Sequence, residues 1–354
     1  MKKFLIKLSY TVLPVFLLLF GLTAYLNLYV RPQATGDLGR LAFIIIGEEY
    51  GQRIEQNELK ERFFSNVRET EDLKAIHVNV LTIGDSFSQQ DHAGYQNYMF
   101  QEGLTVINTR RELYDNPIQY AWNLLDAGIV DSTNIDVMVV EVGERDFSLR
   151  IDNFRIDKVE VGEPDLPDDG GEENVFDIRQ WSLLRTRDFL MYRYAGRNPV
   201  YNVELDRDFF DSNEPRKLYF YCADVLNGMS IEASICPKIK EVFDLLNAKA
   251  HEQGIGFILM VPVDKYDLYQ DYIVNNPYDH PKRINEEVRN LLGDRPEVML
   301  CKFYLQPLLE RGEKDVFLFN NSHWSWKGSK VVGEELARRV KYIIENSDNV
   351  IINN

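Results

Sequence analysis

Five short, almost wholly apolar runs, at residues 78–83, 104–107, 137–142, 256–261 and 298–303, alternate with longer stretches of helical periodicity. Runs of this length without polar alternation suit strands buried on both faces, the condition of a parallel sheet covered by helices. Residues 117–127, 237–253 and 283–292 read as helices between them. The last helix is the clearest, with Val332, Leu336, Val340 and Ile343 on one stripe and Arg338, Arg339 and Lys341 facing out. The expected fold is therefore α/β: a three-layer α/β/α sandwich with a central parallel sheet spanning about 77–346, followed by a tail at 347–354. In an open parallel sheet the site lies beyond the carboxyl ends of the strands.

The 354 residues suffice for one large domain or two small ones, and 45% apolar and 12% aromatic residues exclude a disordered or collagen-like chain. No internal repeat is visible. A net charge of -16 repels a phosphate backbone and argues against nucleic acid as a partner. Half of that charge is local, because residues 152–177 carry ten acids against two bases. They fall in a stretch, 147–230, that breaks the strand–helix rhythm and reads as an insertion. Its acidic part, 161–171, reads as a loop, and 178–194 is apolar and basic enough for a helix. The insertion either frames a substrate groove or is a solvated decoration.

Residues 8–30 contain no charge, follow Lys2, Lys3 and Lys7, and end at Arg31. At a rise of about 1.5 Å per residue such a helix crosses the ~30 Å hydrocarbon core of a bilayer once. A cleaved signal peptide and a buried core helix are the alternatives; no small-residue cleavage site stands near Ala24, which favours an uncleaved anchor over 1–31. The basic start places that end in the cytoplasm and the bulk of the chain on the periplasmic or extracellular side. Residues 32–76 read as a juxtamembrane spacer without visible chemistry. Of the three cysteines, Cys222 and Cys236 are near enough in sequence for a local disulfide or are a pair of thiols, and Cys301 falls in the last apolar run.

The first apolar run leads into Gly84, Asp85 and Ser86, which puts Ser86 at the carboxyl edge of the sheet near a helix start whose N–H groups can stabilise an oxyanion. Alone, this tripeptide is equally a turn or a cap. Near the other end, residues 320–328 place His323 just before the terminal helix. A serine hydroxyl needs a base titrating near neutrality, and His323 can be that base. His92 is the rival by proximity in sequence. No metal or nucleotide cofactor is expected, since neither a ligand cluster nor a glycine-rich phosphate loop is present.

These motifs resemble the SGNH, or GDSL-type, hydrolase superfamily, with Gly84, Asp85 and Ser86 as its first block and His323 followed by Gly328 as its last. Within it the chain is most similar to the membrane-anchored, alginate O-acetyltransferase-like group. The shared features are the anchor, Phe87 and Ser88 after the serine, Trp324 and Ser325 after the histidine, and Pro262 to Lys265 followed by Tyr269. The chain order, serine before histidine, is that of ordinary GDSL esterases. The resemblance implies an acyl-serine mechanism in which Ser86 and His323 are catalytic and Asn320 stands where the third, acidic member belongs. An acid from elsewhere, such as Asp315, is a possible substitute. It also implies that Arg110 and Arg145 occupy the positions of the oxyanion-hole glycine and asparagine, with Asp85 and Lys265 near the substrate.

The expected function is a membrane-anchored O-acetyltransferase or acetylesterase acting on a cell-envelope or secreted polysaccharide, with an acetylated glycan and a membrane-bound acetyl-donor protein as partners. The alternative is a degenerate module that binds a glycan or an assembly partner without turnover, favoured by the changes at Arg110, Arg145 and Asn320. A third reading takes Gly84–Ser86 as a turn in a structural envelope protein. The discriminating geometry is whether Ser86 and His323 meet within about 3 Å.

Overall fold

Six parallel strands form the centre of the computed structural model, which describes residues 2–42, 59–67, 69–157, 183–195, 199–227, 229–278 and 281–351. In chain order they are β1 (Ser65–Val67), β2 (Val78–Gly84), β3 (Val106–Thr109), β4 (Ile135–Glu141), β7 (Gly256–Val261) and β8 (Val298–Leu300). The antiparallel pair β5 (Val200–Glu204) and β6 (Lys217–Tyr221) stands apart as a second sheet. The six-stranded order is β1-β3-β2-β4-β7-β8. From β2 the chain turns one way to β3 and then returns across it to β4, so the order reverses at the carboxyl end of β2, where a crevice must open. Ser86 follows that end by two residues.

Alternate residues of the strands β2, β3, β4, β7 and β8 enter two separate apolar clusters. Val80, Val137, Val139, Ile258 and Met260 face one side of the sheet. Leu81, Ile83, Met138, Val140 and Leu259 face the other. The first side is covered by the helices Tyr95–Gln101, Lys302–Glu310 and Trp326–Ile351, whose stripe of Val332, Leu336, Val340 and Ile343 is buried as its spacing requires. The second is covered by Pro117–Asp126, Cys236–Glu252 and Ile284–Leu292. Helices thus flank a parallel sheet on both faces.

Several boundaries differ from the sequence reading. The last apolar run ends as a strand at Leu300, and Cys301 to Phe303 turn into the Lys302–Glu310 helix. The insertion contains the helix Phe147–Asp152, the helix Leu183–Ala195 and the β5–β6 pair, while the acidic loop 161–171 lies outside the described residues. The stretch read as a spacer holds an edge strand, β1, and the helix Gly36–Ala42, whose Leu38 is buried in the core. All three cysteines are free thiols. The N-terminal helix Lys2–Tyr25 runs on into a wider π-turn, Leu26–Val30, and Ser9–Val30, with mean hydropathy 1.9, is long and apolar enough to span a membrane.

The terminal helix meets the Tyr95–Gln101 helix without a gap at Gly333, where a Cβ would run into the Tyr95 carbonyl and lie 2.7 Å from the Tyr98 Cβ. Alanine is the better helix former by about 1 kcal/mol. Gly333→Ala is nevertheless expected to lower the unfolding free energy, by about 1–3 kcal/mol, because overpacking outweighs propensity. Urea denaturation checks the sign.

Candidate active site

Ser86 opens a short 3-10 turn, Ser86–Gln89, at the end of β2. Its Oγ lies 2.7 Å from His323 Nε2, joining residues 237 apart in the chain. His323 sits in the loop closed by the Phe317–Trp324 bridge, just before the terminal helix, and its carbonyl accepts the Leu318 N–H. The Phe87 ring packs edge-on against the imidazole at 4.9 Å and tilts against the buried Trp324 at 4.3 Å.

The other imidazole nitrogen decides the tautomer. Nδ1 lies 2.6 Å from Asn321 Oδ1, which also accepts the His323 backbone N–H at 3.1 Å, and 3.4 Å from Asp37 Oδ2. Both neighbours are acceptors, so Nδ1 carries the proton and Nε2 presents its lone pair to the serine hydroxyl. Asp37 comes from the Gly36–Ala42 helix, the segment in which the sequence showed no chemistry. Ser322 fixes it by donating its N–H at 2.8 Å and its hydroxyl to the carboxylate. The helix itself is tied to the histidine loop by the Leu38 N–H to the Asn320 carbonyl and by the Asn320 amide to Thr35 Oγ1 at 2.8 Å. Gly36 is needed there, since its φ is +71° and a Cβ would strike the Asn320 carbonyl.

Asn320 therefore does not orient the imidazole; its side chain is spent on Thr35, and its neighbour Asn321 with Asp37 takes the place expected of it. Asp315 is no substitute, because its carboxylate accepts the Asp211 N–H. The Asp37 side chain keeps 39% of its surface accessible. Burial works to raise its carboxyl, but the hydrogen bond and charge of His323 and the donors of Ser322 outweigh it and hold the group at about 2.

A cavity of about 430 Å³ opens over Ser86 and His323, with Leu38, Leu41, Arg111 and Arg145 in its walls. Tyr221, Ala223 and Asn227, from the far end of the insertion, also line it. Arg145 reaches it while bound to Asp224 at 3.2 Å and Asp264 at 3.5 Å. Arg110 points elsewhere, pairing with Glu112 at 3.2 Å, and it is the next residue, Arg111, that lines the cavity. Asp85 is held by Arg150 at 3.0 Å and by the Gly143 N–H; burial raises its carboxyl above the usual range in spite of Arg150. Lys265 does not reach the cavity. It lies fully buried beneath the histidine loop and donates to the carbonyls of Leu318 and Phe319, 2.6 and 2.9 Å away, and of Asn321 at 3.1 Å. His92 is exposed and outside the site.

Two outcomes follow from these contacts. Burial pushes Lys265 down to about 7, yet three carbonyls depend on its hydrogens. Lys265→Met should cost about 2–4 kcal/mol in chemical denaturation, since carbonyls stripped of a donor bear the full desolvation penalty. The carboxyl of Asp37 is depressed, so its contribution to stability is complete above its ordinary value of 3.8 and is lost as pH falls toward about 2. The gap in melting temperature between wild type and Asp37→Asn should hold steady above pH ~4 and close below it. A gap unchanged at pH ~2 would show that Asp37 does not make these contacts.

A scan against protein-family models, a search of curated proteins and a search of solved structures found no match for this chain.

Proposed function

We propose that the protein is an SGNH-type enzyme that moves an acyl group through a serine ester, working as an O-acetyltransferase or acetylesterase on an envelope or secreted polysaccharide from a membrane anchor. The observation that carries this reading is the Ser86–His323–Asp37 alignment at the switch point of the sheet, 2.7 Å between nucleophile and base and 3.4 Å between base and acid. Such a constellation raises the nucleophilicity of a hydroxyl that is otherwise inert at neutral pH.

The chemistry is two half-reactions. Ser86 Oγ attacks the carbonyl carbon of the ester while His323 Nε2 takes its proton, and Asp37 beside Nδ1 stabilises the imidazolium. Arg111 and the first-turn N–H of Ser86 are the donors offered to the oxyanion. Collapse expels the donor alkoxide, which recovers the proton from His323, and leaves an acyl-serine. A sugar hydroxyl, or water in the esterase, then gives its proton to His323 and attacks the acyl carbon, and the Ser86 Oγ–acyl bond breaks as Oγ takes that proton back from His323. The acetyl group and the glycan enter through the sequence resemblance; the serine–histidine step stands on the distances.

Acetate release from an activated acetyl ester by the full chain in detergent tests this. Ser86→Ala and His323→Ala should fall to the uncatalysed rate, and intact mass should show an acetyl adduct on wild type that both lack. Asp37→Asn should lose about 10²- to 10⁴-fold in turnover, the upper end being the loss that follows when the buried triad aspartate of a serine protease is changed to asparagine. Equal rates for all four proteins and no adduct would leave the non-catalytic binding module as the reading.

A further inference from the structure

The helix Leu183–Ala195 has a sequence unlike its surroundings. It holds Arg185, Arg187 and Arg193 against a single acid, Asp188, in a chain of net charge -16 and directly beyond the most acidic stretch. Its place in the fold is equally particular. Thr186, buried, shares a 2.9 Å hydrogen bond with Thr23 of the apolar N-terminal helix, and Phe189 packs with Leu22, Leu26 and Val30. Thr186, Phe189 and Arg193 follow i, i+3, i+7 spacing, so they share one helix face.

The apolar helix changes character where this contact begins. Tyr10, Phe16 and Leu18 are 78%, 61% and 69% exposed, whereas Thr23, Leu26, Asn27 and Val30 are buried. If Ser9–Val30 spans the bilayer, Thr23 lies about 10 Å short of its outer end at ~1.5 Å rise per residue. Any segment bonded to Thr23 then sits at the level of the headgroups and upper acyl chains, about 5–10 Å deep, the depth of an interfacial helix. The exposed side chains suit that layer: Arg187 and Arg193 carry charge on long apolar stems, and Tyr194, 81% exposed, is an amphipathic ring of the kind enriched there.

We propose that Leu183–Ala195 lies in the bilayer surface beside the anchor with Arg187 and Arg193 among anionic lipid headgroups. The proposal rests on the reading of Ser9–Val30 as a membrane span. The same helix packs against Gly36–Ala42, which carries Asp37, so the membrane seat also steadies the acid of the candidate triad.

The test uses the full chain in vesicles of phosphatidylcholine, with or without a quarter phosphatidylglycerol, on a Cys222→Ser, Cys236→Ser background; Cys301 is buried and stays unlabelled. A fluorophore is attached in separate proteins at Tyr194→Cys and Leu17→Cys and quenched by nitroxide lipids labelled near the headgroup or deep in the acyl chain. The Tyr194 label is expected to be quenched chiefly by the shallow nitroxide, the Leu17 label by the deep one. Adding Arg187→Glu and Arg193→Glu should lower shallow quenching at position 194 several-fold in anionic vesicles and leave position 17 unchanged. No quenching at 194 with strong quenching at 17 overturns the proposal and leaves the span intact. No quenching at 17 overturns the span and the proposal together. Quenching at 194 that ignores both lipid charge and the arginine changes overturns the headgroup contact.

Discussion

The histidine of the candidate site sits on a loop outside any helix or named strand, so the site depends on what pins residues 318–323. Lys265 does most of this from below. Its ammonium gathers three carbonyls that would otherwise be buried without donors, and the cost of burying it is offset by that wholesale satisfaction. From above, the Gly36–Ala42 helix accepts and donates to the same loop through Asp37, Leu38 and Thr35. Phe87 and Trp324 close the side with aromatic contact. The result is an imidazole whose ring orientation, tautomer and distance to Ser86 are fixed by the surrounding chain.

Behind the cavity lies a buried ionic cluster that orients the other wall. Arg145 is gripped by Asp224 and Asp264, and Lys282, itself fully buried, pairs with Asp264 and lies 4.0 Å from Glu144. Glu144 in turn accepts the Asp264 N–H and the Asn285 amide, which links the ends of β4 and β7 to the Ile284–Leu292 helix. Burial raises Asp224 to about 7 even beside Arg145. Such groups add little net stability compared with apolar packing. What they provide is position: the carboxylates of Asp224 and Asp264 set Arg145 against the cavity and over the Tyr221 ring, 5.2 Å from its centroid.

The sheet is legible because strands buried on both faces have no choice but to be apolar, and the five runs read from sequence each overlap one of five of its six strands, the run 104–107 by only Val106 and Ile107. The sixth, β1, is three residues long, Ser65–Val67, with two polar members, so it carries no periodic signal. The β5–β6 pair was hidden for a related reason: its Tyr, Asn and Glu positions alternate too weakly to stand out beside an acidic neighbour. Ser86 and His323 could be found because each lies at a junction between regular elements. Asp37 could not, since the only local sign was a glycine before an acid at a helix start, and its partner is 286 positions away. The errors at Arg110 and Asn320 were each of one residue. A motif alignment fixes position along the chain, but which of two adjacent side chains faces the site depends on the backbone turn, and here Arg111 lines the cavity and Asn321 meets the imidazole.

Asp37, Asp85, Asp146 and Glu141 all stand near Ser86, and the surroundings of Glu141, Asp85 and Asp37 separate what each of these three can do. Glu141 lies fully buried at the end of β4, where burial drives its carboxyl well above the usual range although Ser88 donates both its N–H and its hydroxyl to it. Asp85 is raised as well, by burial first, and Glu141 and Asp85 oppose each other's ionisation, since one charge so near another discourages a second. Neither is therefore suited to stabilise a charged imidazole. Asp37, on the cavity side and partly accessible, is held at about 2 and so stays ionised throughout the range in which a histidine works. A carboxylate that stays charged beside an imidazole belongs where solvent and donors keep it so, and among the described residues only the Gly36–Ala42 helix brings an acid to that position.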